Sequence, residues 1–264
     1  MGKLYLELIR IRFLSMLAYR VNYYSGILIY SINIGAYYFL WGAIYGGQKE
    51  LAGFSVEQMT AYVAIAWMSR AFYFNNIDQE IAQEVREGKV AIEMIRPYNY
   101  LGVKTMQALG EGIFRLLFFA APGIVLISFF LPFSFPESPE RWGLYLLSLL
   151  LAFVINTELN LLMGVITFFL FRNEGIIYAK RVVVDLLSGL ILPISFFPGW
   201  AQAVMAYLPF QAINYYPSRI FAGAIGTDQA LQVILLQVIW VGVILVPIAV
   251  LWRQAKRKLV VQGG

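Results

Sequence analysis

The chain has 264 residues, 60% of them hydrophobic and 13% charged, with a net charge of +5. A mean hydropathy of +0.70 lies far above that of a soluble domain, in which roughly a quarter of residues are charged, and predicts an all-α integral membrane protein without a separate soluble domain. Cysteine and histidine are both absent, which excludes disulfides, thiolate nucleophiles, histidine-ligated haem, the common zinc sites and a Ser-His-Asp triad.

Residues 3–20 mix Leu, Ile and Phe with Lys3, Glu7, Arg10 and Arg12. Leu4, Leu8, Ile11 and Met16 fit one side of a helix, so this stretch reads as an amphipathic helix in the inner membrane interface. Its charges argue against a span that begins there. Residues 21–47 carry no charge and form the first expected span. Tyr23, Tyr24, Tyr30, Tyr37, Tyr38 and Tyr45 fall within it. Tyrosines near its ends suit the aromatic belt; those in the middle either pack or line a path, and Tyr37, Tyr38 and Trp41 are the path candidates. Residues 48–57 are a short polar loop. Residues 58–74 are the second span, with Arg70 near the inner end, where it can snorkel.

Residues 76–98, NIDQEIAQEVREGKVAIEMIRPY, are the longest charged segment of the chain. Ile77, Ile81 and Val85 recur every four residues, so 78–87 reads as a short amphipathic helix. Gly88 can end it, and Arg96-Pro97 closes the next piece, because a residue before proline avoids the α region. A short two-faced helix between spans suits docking onto a partner outside the bilayer. The plainer reading is a solvated loop.

Residues 102–131 are the third span, with Lys104, Glu111 and Arg115 in its first turns. Glu111 and Arg115 are four apart and share a face, which favours an internal ion pair. Residues 132–141 are a proline-rich loop. Residues 142–171 form the fourth span, with Glu158 near its centre. A carboxylate there cannot reach either surface, so it is protonated, paired or facing water. Pairing with Arg70 or Arg115 is the structural reading; attraction of a cationic substrate and a proton-linked role are the functional ones. Asn156 and Asn160 share a face that points away from Glu158. After a short charged loop, residues 182–197 form a short fifth span broken by Pro193. Residues 198–226 are apolar but interrupted by Pro198, Pro209 and Pro217, and read as two short re-entrant or interfacial helices. Residues 230–252 are the sixth span, followed by the basic tail of Arg253, Lys256, Arg257 and Lys258.

Lys and Arg crowd residues 3–20, 86–104, 172–181 and 253–258, against Lys49, Arg141 and Arg219 on the other side. The asymmetry predicts that both termini and residues 76–98 face the cytoplasm of a multi-pass inner-membrane protein, with 198–226 outside. This placement explains the basic residues without nucleic acid.

On this topology the chain resembles a permease subunit of an ABC-2 type ATP-binding cassette exporter, and is most similar to the branch linked to viologen and drug export. The interfacial first helix matches. So does EGKVAIEMIRPYNYL, residues 87–101, which resembles the passage after the family's coupling helix and includes Arg96 and Pro97. GLILPISFFPGWAQAVMAYLPFQAINYYPSRIFAG, residues 189–223, is similar to the family's run before the last span and contains Gly189, Pro193, Pro198, Pro209 and Pro217. The resemblance implies a coupling role for Ile77, Asp78, Ile81, Glu84, Val85 and Glu87. It implies two copies of a separate cytoplasmic ATPase, which hold ATP and Mg, and a second permease, paralogous or identical. The chain itself has no Walker A pattern and no cofactor of its own. Lipids and glycans are cargoes of the same architecture; the aromatic residues and Glu158 favour a lipophilic cation or drug. An embedded enzyme would need a catalytic cluster, and a secondary transporter an inverted repeat; neither is visible.

Overall fold

The computed structural model describes residues 2–18, 21–132, 135–170 and 173–262, and the side chains of all these except 21–25 and 258–262. Arg20, Phe171 and Arg172, and the side chains of Tyr23, Tyr24 and Lys258, lie outside the described residues. The helices are α1 (Gly2–Ala18), α2 (Val21–Tyr45), α3 (Val56–Tyr73), α4 (Ile77–Arg86), α5 (Lys89–Ile95), α6 (Tyr100–Arg115), α7 (Ala121–Ser128), α8 (Pro139–Ile166), α9 (Glu174–Leu187), α10 (Gly199–Ala206), α11 (Tyr215–Phe221) and α12 (Thr227–Gln262). Helices satisfy every backbone group within one segment, which hydrocarbon demands.

Four helical stretches are long and apolar enough to cross a bilayer: Gly26–Tyr45, Tyr100–Ser128, Pro139–Ile166 and Thr227–Arg257. They match the expected first, third, fourth and sixth spans. The other two expected spans, 58–74 and 182–197, are not among these stretches. α3 is a helix of 18 residues but carries Gln58, Thr60, Ser69 and Arg70. It is wrapped by α2, α6, α7, α8 and α11, so it needs no apolar coat against lipid. Its small Ala61, Ala64 and Ala66 are fully buried and let those neighbours approach. In place of a helix over 182–197, α9 starts at Glu174 and stops at Leu187. It stops because Gly189 adopts φ +83° and Pro193 follows.

The loop expected at 48–57 contains a hairpin of two-residue strands, β1 (Glu50–Leu51) and β2 (Phe54–Ser55), with Glu50 opposite Ser55. Ala52 and Gly53 turn it with φ of 50° and 81°, the two positive angles of a tight hairpin turn. Ser55 then caps α3: its Oγ accepts from Gln58 N at 3.1 Å, and Gln58 Oε1 accepts from Ser55 N at 3.0 Å. Between α6 and α7 the chain widens into a π-helical turn, Leu116–Ala120. Pro122 lies just beyond it. A proline lacks the donor for an α-helical bond and crowds the preceding turn, which a π turn relieves.

α8 is the central post. It packs on α12, α4, α11 and α3. Gln237 of α12 knots this centre: Ser148 Oγ lies 2.9 Å from Gln237 Oε1, and Gln237 Nε2 donates to Ala212 O at 2.7 Å. α1 lies along α6. A Cβ on Gly110 would stand 2.4 Å from Ile9 O, so only glycine permits this approach. Phe13 meets the Phe114 ring edge-on at 5.8 Å. The packed side of α1 is therefore Tyr5, Leu8, Ile9, Arg12, Phe13, Met16 and Leu17. Leu4 and Ile11, expected on the apolar side, are exposed. The groove of α6 takes Tyr5, Arg12 and Phe13 together with Leu8 and Met16 of the expected apolar side.

Candidate functional site

Residues 76–98 fold as α4 and α5 joined by an elbow at Glu87-Gly88. Gly88 takes φ +71° and precedes α5, a turn that glycine makes without steric cost. The side of α4 that holds Ile77, Asp78, Ile81 and Ala82 is buried, and α4 rests on α8. Ile81 is wholly enclosed; Val85 is half-buried. The apolar stripe expected to meet a partner is thus spent inside the chain. Outward-facing residues are Gln83, Arg86, Glu87, Gly88, Lys89, Ala91, Ile92, Ile95, Arg96 and Pro97. Ile92 and Ile95 are 62% and 85% exposed, an apolar pair one turn apart on α5. Glu87 accepts from Gln83 at 2.7 Å and pairs with Lys89 at 2.5 Å. The Lys89 hydrogen bond holds the Glu87 carboxyl below its ordinary range, so the elbow tip is fully ionised at neutral pH. Arg96 pairs with Glu93 at 3.2 Å and donates to Tyr98 Oη at 3.0 Å. Pro97 follows where α5 has ended.

The buried side of α4 opens onto a network of charges. Asp78 Oδ2 lies 2.7 Å from Lys180 Nζ of α9. Lys180 also donates to Asn160 of α8. Asn160 Nδ2 donates to Asn75 O at 3.0 Å, and Asn75 Nδ2 donates to Thr157 Oγ1 at 3.0 Å. Asn156 Nδ2 donates to Tyr73 O at 2.8 Å. The two asparagines of α8 thus hold the free backbone carbonyls where α3 ends, groups a helix cannot satisfy itself. On the other flank Glu84 takes Lys104 Nζ at 2.5 Å and Tyr100 Oη at 2.5 Å. Arg12 of α1 reaches Glu80 at 2.9 Å and Glu111 at 2.7 Å. Glu111 also pairs with Arg115, as the four-residue spacing predicts.

Phe74, the residue that ends α3, sits at the centre. The guanidinium carbons of Arg70, Arg181 and Arg115 lie 4.7, 5.2 and 5.8 Å from its ring centre. Arg70 forks onto Asp185 at 2.7 and 2.9 Å. Arg115 Nη1 donates to Phe74 O at 2.8 Å. Arg181 donates to the Asn76 amide oxygen at 2.9 Å. Arg70 is therefore an ion-pair partner instead of a snorkelling group.

Glu158 is 4% exposed, and its Oε2 has no hydrogen-bond partner among the described residues. The two arginines expected as its partners are held by Asp185 and Glu111. Trp41 is buried and its ring lies 4.7 Å from that of Phe196. Tyr37 lies 5.9 Å from Trp67, and Tyr38 borders a small cavity of about 10 Å³ beside Ile34, Trp41, Thr60 and Val63. Gly189 accepts from Tyr62 Oη at 2.6 Å through its carbonyl, and a Cβ there would stand 2.8 Å from that oxygen. Pro193 and Pro198 precede a 3₁₀ turn, Ile194–Phe196, and α10. Pro209 opens a second 3₁₀ turn, Pro209–Ala212, and Pro217 lies inside α11.

Comparison with protein families matches residues 31–263 to the ABC-2 family transporter proteins. The chain belongs to the ABC-2 family. It is a multi-pass membrane protein of the permease type; permeases of this family are membrane subunits, not themselves ATPases, and generally partner with an ATPase subunit. Comparison with curated proteins returned no match.

Several residues of this ABC-2 permease's charged network escape a reading of its sequence. Phe74, Asn75, Lys180 and Arg181 are spread over more than a hundred positions, and no spacing rule joins them. Lys104, Lys180 and Arg181 read as topology markers on a charge count. The signal that distinguishes them is the density of Asn, Asp and Glu beside them at helix ends, the groups that capture buried cations.

Proposed function

We propose that this chain is half of the translocation path of an ATP-driven exporter, coupled through α4 and α5 to a separate cytoplasmic ATPase. The carrying observation is the exposed pair Ile92 and Ile95, set beside an ionised elbow whose own apolar stripe is already buried. A partner that covers α5 gains roughly the burial of two isoleucine side chains, about 1.5–3 kcal/mol each. Glu84 and Val85 lie behind this surface and set its pitch; Glu87 is on it. Two ATPase copies, holding ATP and Mg, act beneath two permeases, this one and a paralogous or identical second chain. Their closure pushes the elbow, and the push passes through α4 into α8.

In this reading six segments cross the inner membrane, with α3, and α9 together with residues 188–206, completing the set. Both termini and the elbow face the cytoplasm, since the positive charge collects there. The cargo is a lipophilic cation of the drug type, as in the viologen branch. Glu158 supports this: of the buried carboxylates Asp78, Glu111 and Glu158, it alone has no ion pair among the described residues. The test is co-expression with its ATP-binding cassette ATPase. Ile92→Asp with Ile95→Asp should abolish co-purification while the permease stays folded. Retention of the ATPase by this double variant rejects α5 as the docking surface.

A further inference from the structure

Two of the three arginines around Phe74, Arg70 and Arg115, border a cleft of about 220 Å³ lined also by Tyr30, Ala71, Phe74 and Phe119. It opens between α2, α3 and the π-helical turn. We infer that this cleft binds the phosphate headgroup of an anionic lipid, with the acyl chains along α2.

Charge is the first argument. Three guanidinium groups converge on one ring. Two carboxylates face them, Asp185 on Arg70 and Glu111 on Arg115. Glu111 is shared with Arg12, and Arg181 meets an amide oxygen instead of a carboxylate. The cluster keeps net positive charge in a partly dry place, where an unbalanced charge is costly. An anion in the cleft offsets it.

Donors are the second argument. Arg70 spends Nε and Nη2 on Asp185, which leaves Nη1 without a hydrogen bond among the described residues. Arg115 spends both Nη atoms, on Phe74 O and Glu111, which leaves Nε. Arginine forks of this kind match phosphate oxygens.

The walls are the third. The rest of the lining is aromatic or small, with Tyr30 and Phe119 edge to face at 5.1 Å. Beside Tyr30, α2 presents Leu28, Ile29 and Ile32 outward, 57–72% exposed. A free phosphate has no use for such a wall; a chain-bearing phosphate does. The π turn brings Phe119 to the cleft one turn after Arg115, and π turns recur at functional sites.

This inference rests on the reading of the chain as membrane-embedded, and it is separate from coupling and from the cationic cargo. The full chain, purified in neutral detergent, is titrated with phosphatidylglycerol, with phosphatidylcholine of the same acyl chains, and with inorganic phosphate. Binding is read by native mass spectrometry. We expect one phosphatidylglycerol held at least tenfold more tightly than phosphatidylcholine, and weak binding of inorganic phosphate. Ala71→Leu fills the cleft without touching an ion pair and should lose that preference, as should Arg115→Gln. Should Arg115→Gln fail to fold, Ala71→Leu alone decides. Equal binding of the two lipids, or wild-type binding by Ala71→Leu, overturns the site. Inorganic phosphate bound as tightly as phosphatidylglycerol makes it a free-phosphate site and overturns the lipid. ATPase co-purification plays no part in these outcomes, so the two readings fail separately.

Discussion

Gly164 of α8 leaves the space that Ile81 of α4 fills: a Cβ on Gly164 would stand 2.8 Å from Ile81 Cδ1 and 3.0 Å from its Cβ. α4 is thereby keyed into the central post. Gly164→Val keeps helix propensity nearly level, since valine and glycine both rank low. The overpacking should then cost about 1–3 kcal/mol. Thermal unfolding in detergent should show a lower midpoint, and adding Ile81→Ala should restore part of it. An unchanged midpoint in Gly164→Val would mean that α4 does not sit this close to α8.

Arg70 and Asp185 form a forked pair, their side chains 14% and 25% exposed. Breaking one side of such a pair leaves a charge with little water, at a cost near the lower end of about 3–5 kcal/mol. Arg70→Met should destabilise strongly. Arg70→Met with Asp185→Leu should recover most of the loss, because no lone charge remains. A double-mutant cycle on the unfolding midpoints measures this; strictly additive losses would contradict a direct pair.

Glu158 has an Oε2 with no partner among the described residues. Removing an unsatisfied buried polar group stabilises by roughly 1–3 kcal/mol. Glu158→Leu should therefore raise the unfolding midpoint while lowering export of a lipophilic cation. Glu158→Gln should fold normally and share the export defect. A fall in the Glu158→Leu midpoint would assign the residue a structural bond.

Much of this architecture is legible in the sequence, and the failures share a cause. The uncharged run of α2 and the apolar runs of α8 and α12 announce themselves because lipid imposes composition directly. The elbow is legible too: Ile77, Ile81 and Val85 give the helix, Gly88 the turn and Pro97 the stop. What periodicity does not say is which side faces what. The stripe of α4 is real, yet it meets α8, because Gly164 offers a notch and a partner need not. In α1 likewise, Gly110 of α6 admits the backbone of Ile9, while Leu4 and Ile11 stand exposed. α3 violates the composition rule because protein, not lipid, surrounds it. Arg70 and Glu158 show the limit for charges: a chain read span by span offers them to each other, yet Arg70 is held by Asp185 and Glu158 has no ion pair among the described residues.

Arg12 holds Glu80 of α4 and Glu111 of α6 with the same Nη2 atom. The first helix of the chain is consequently no free float on the membrane surface. Any sliding of α4 past α6 either stretches one of these two contacts or drags α1 with it. One arginine near the start of the chain thus ties three helices together, and the seat of α1 depends on the spacing of α4 and α6.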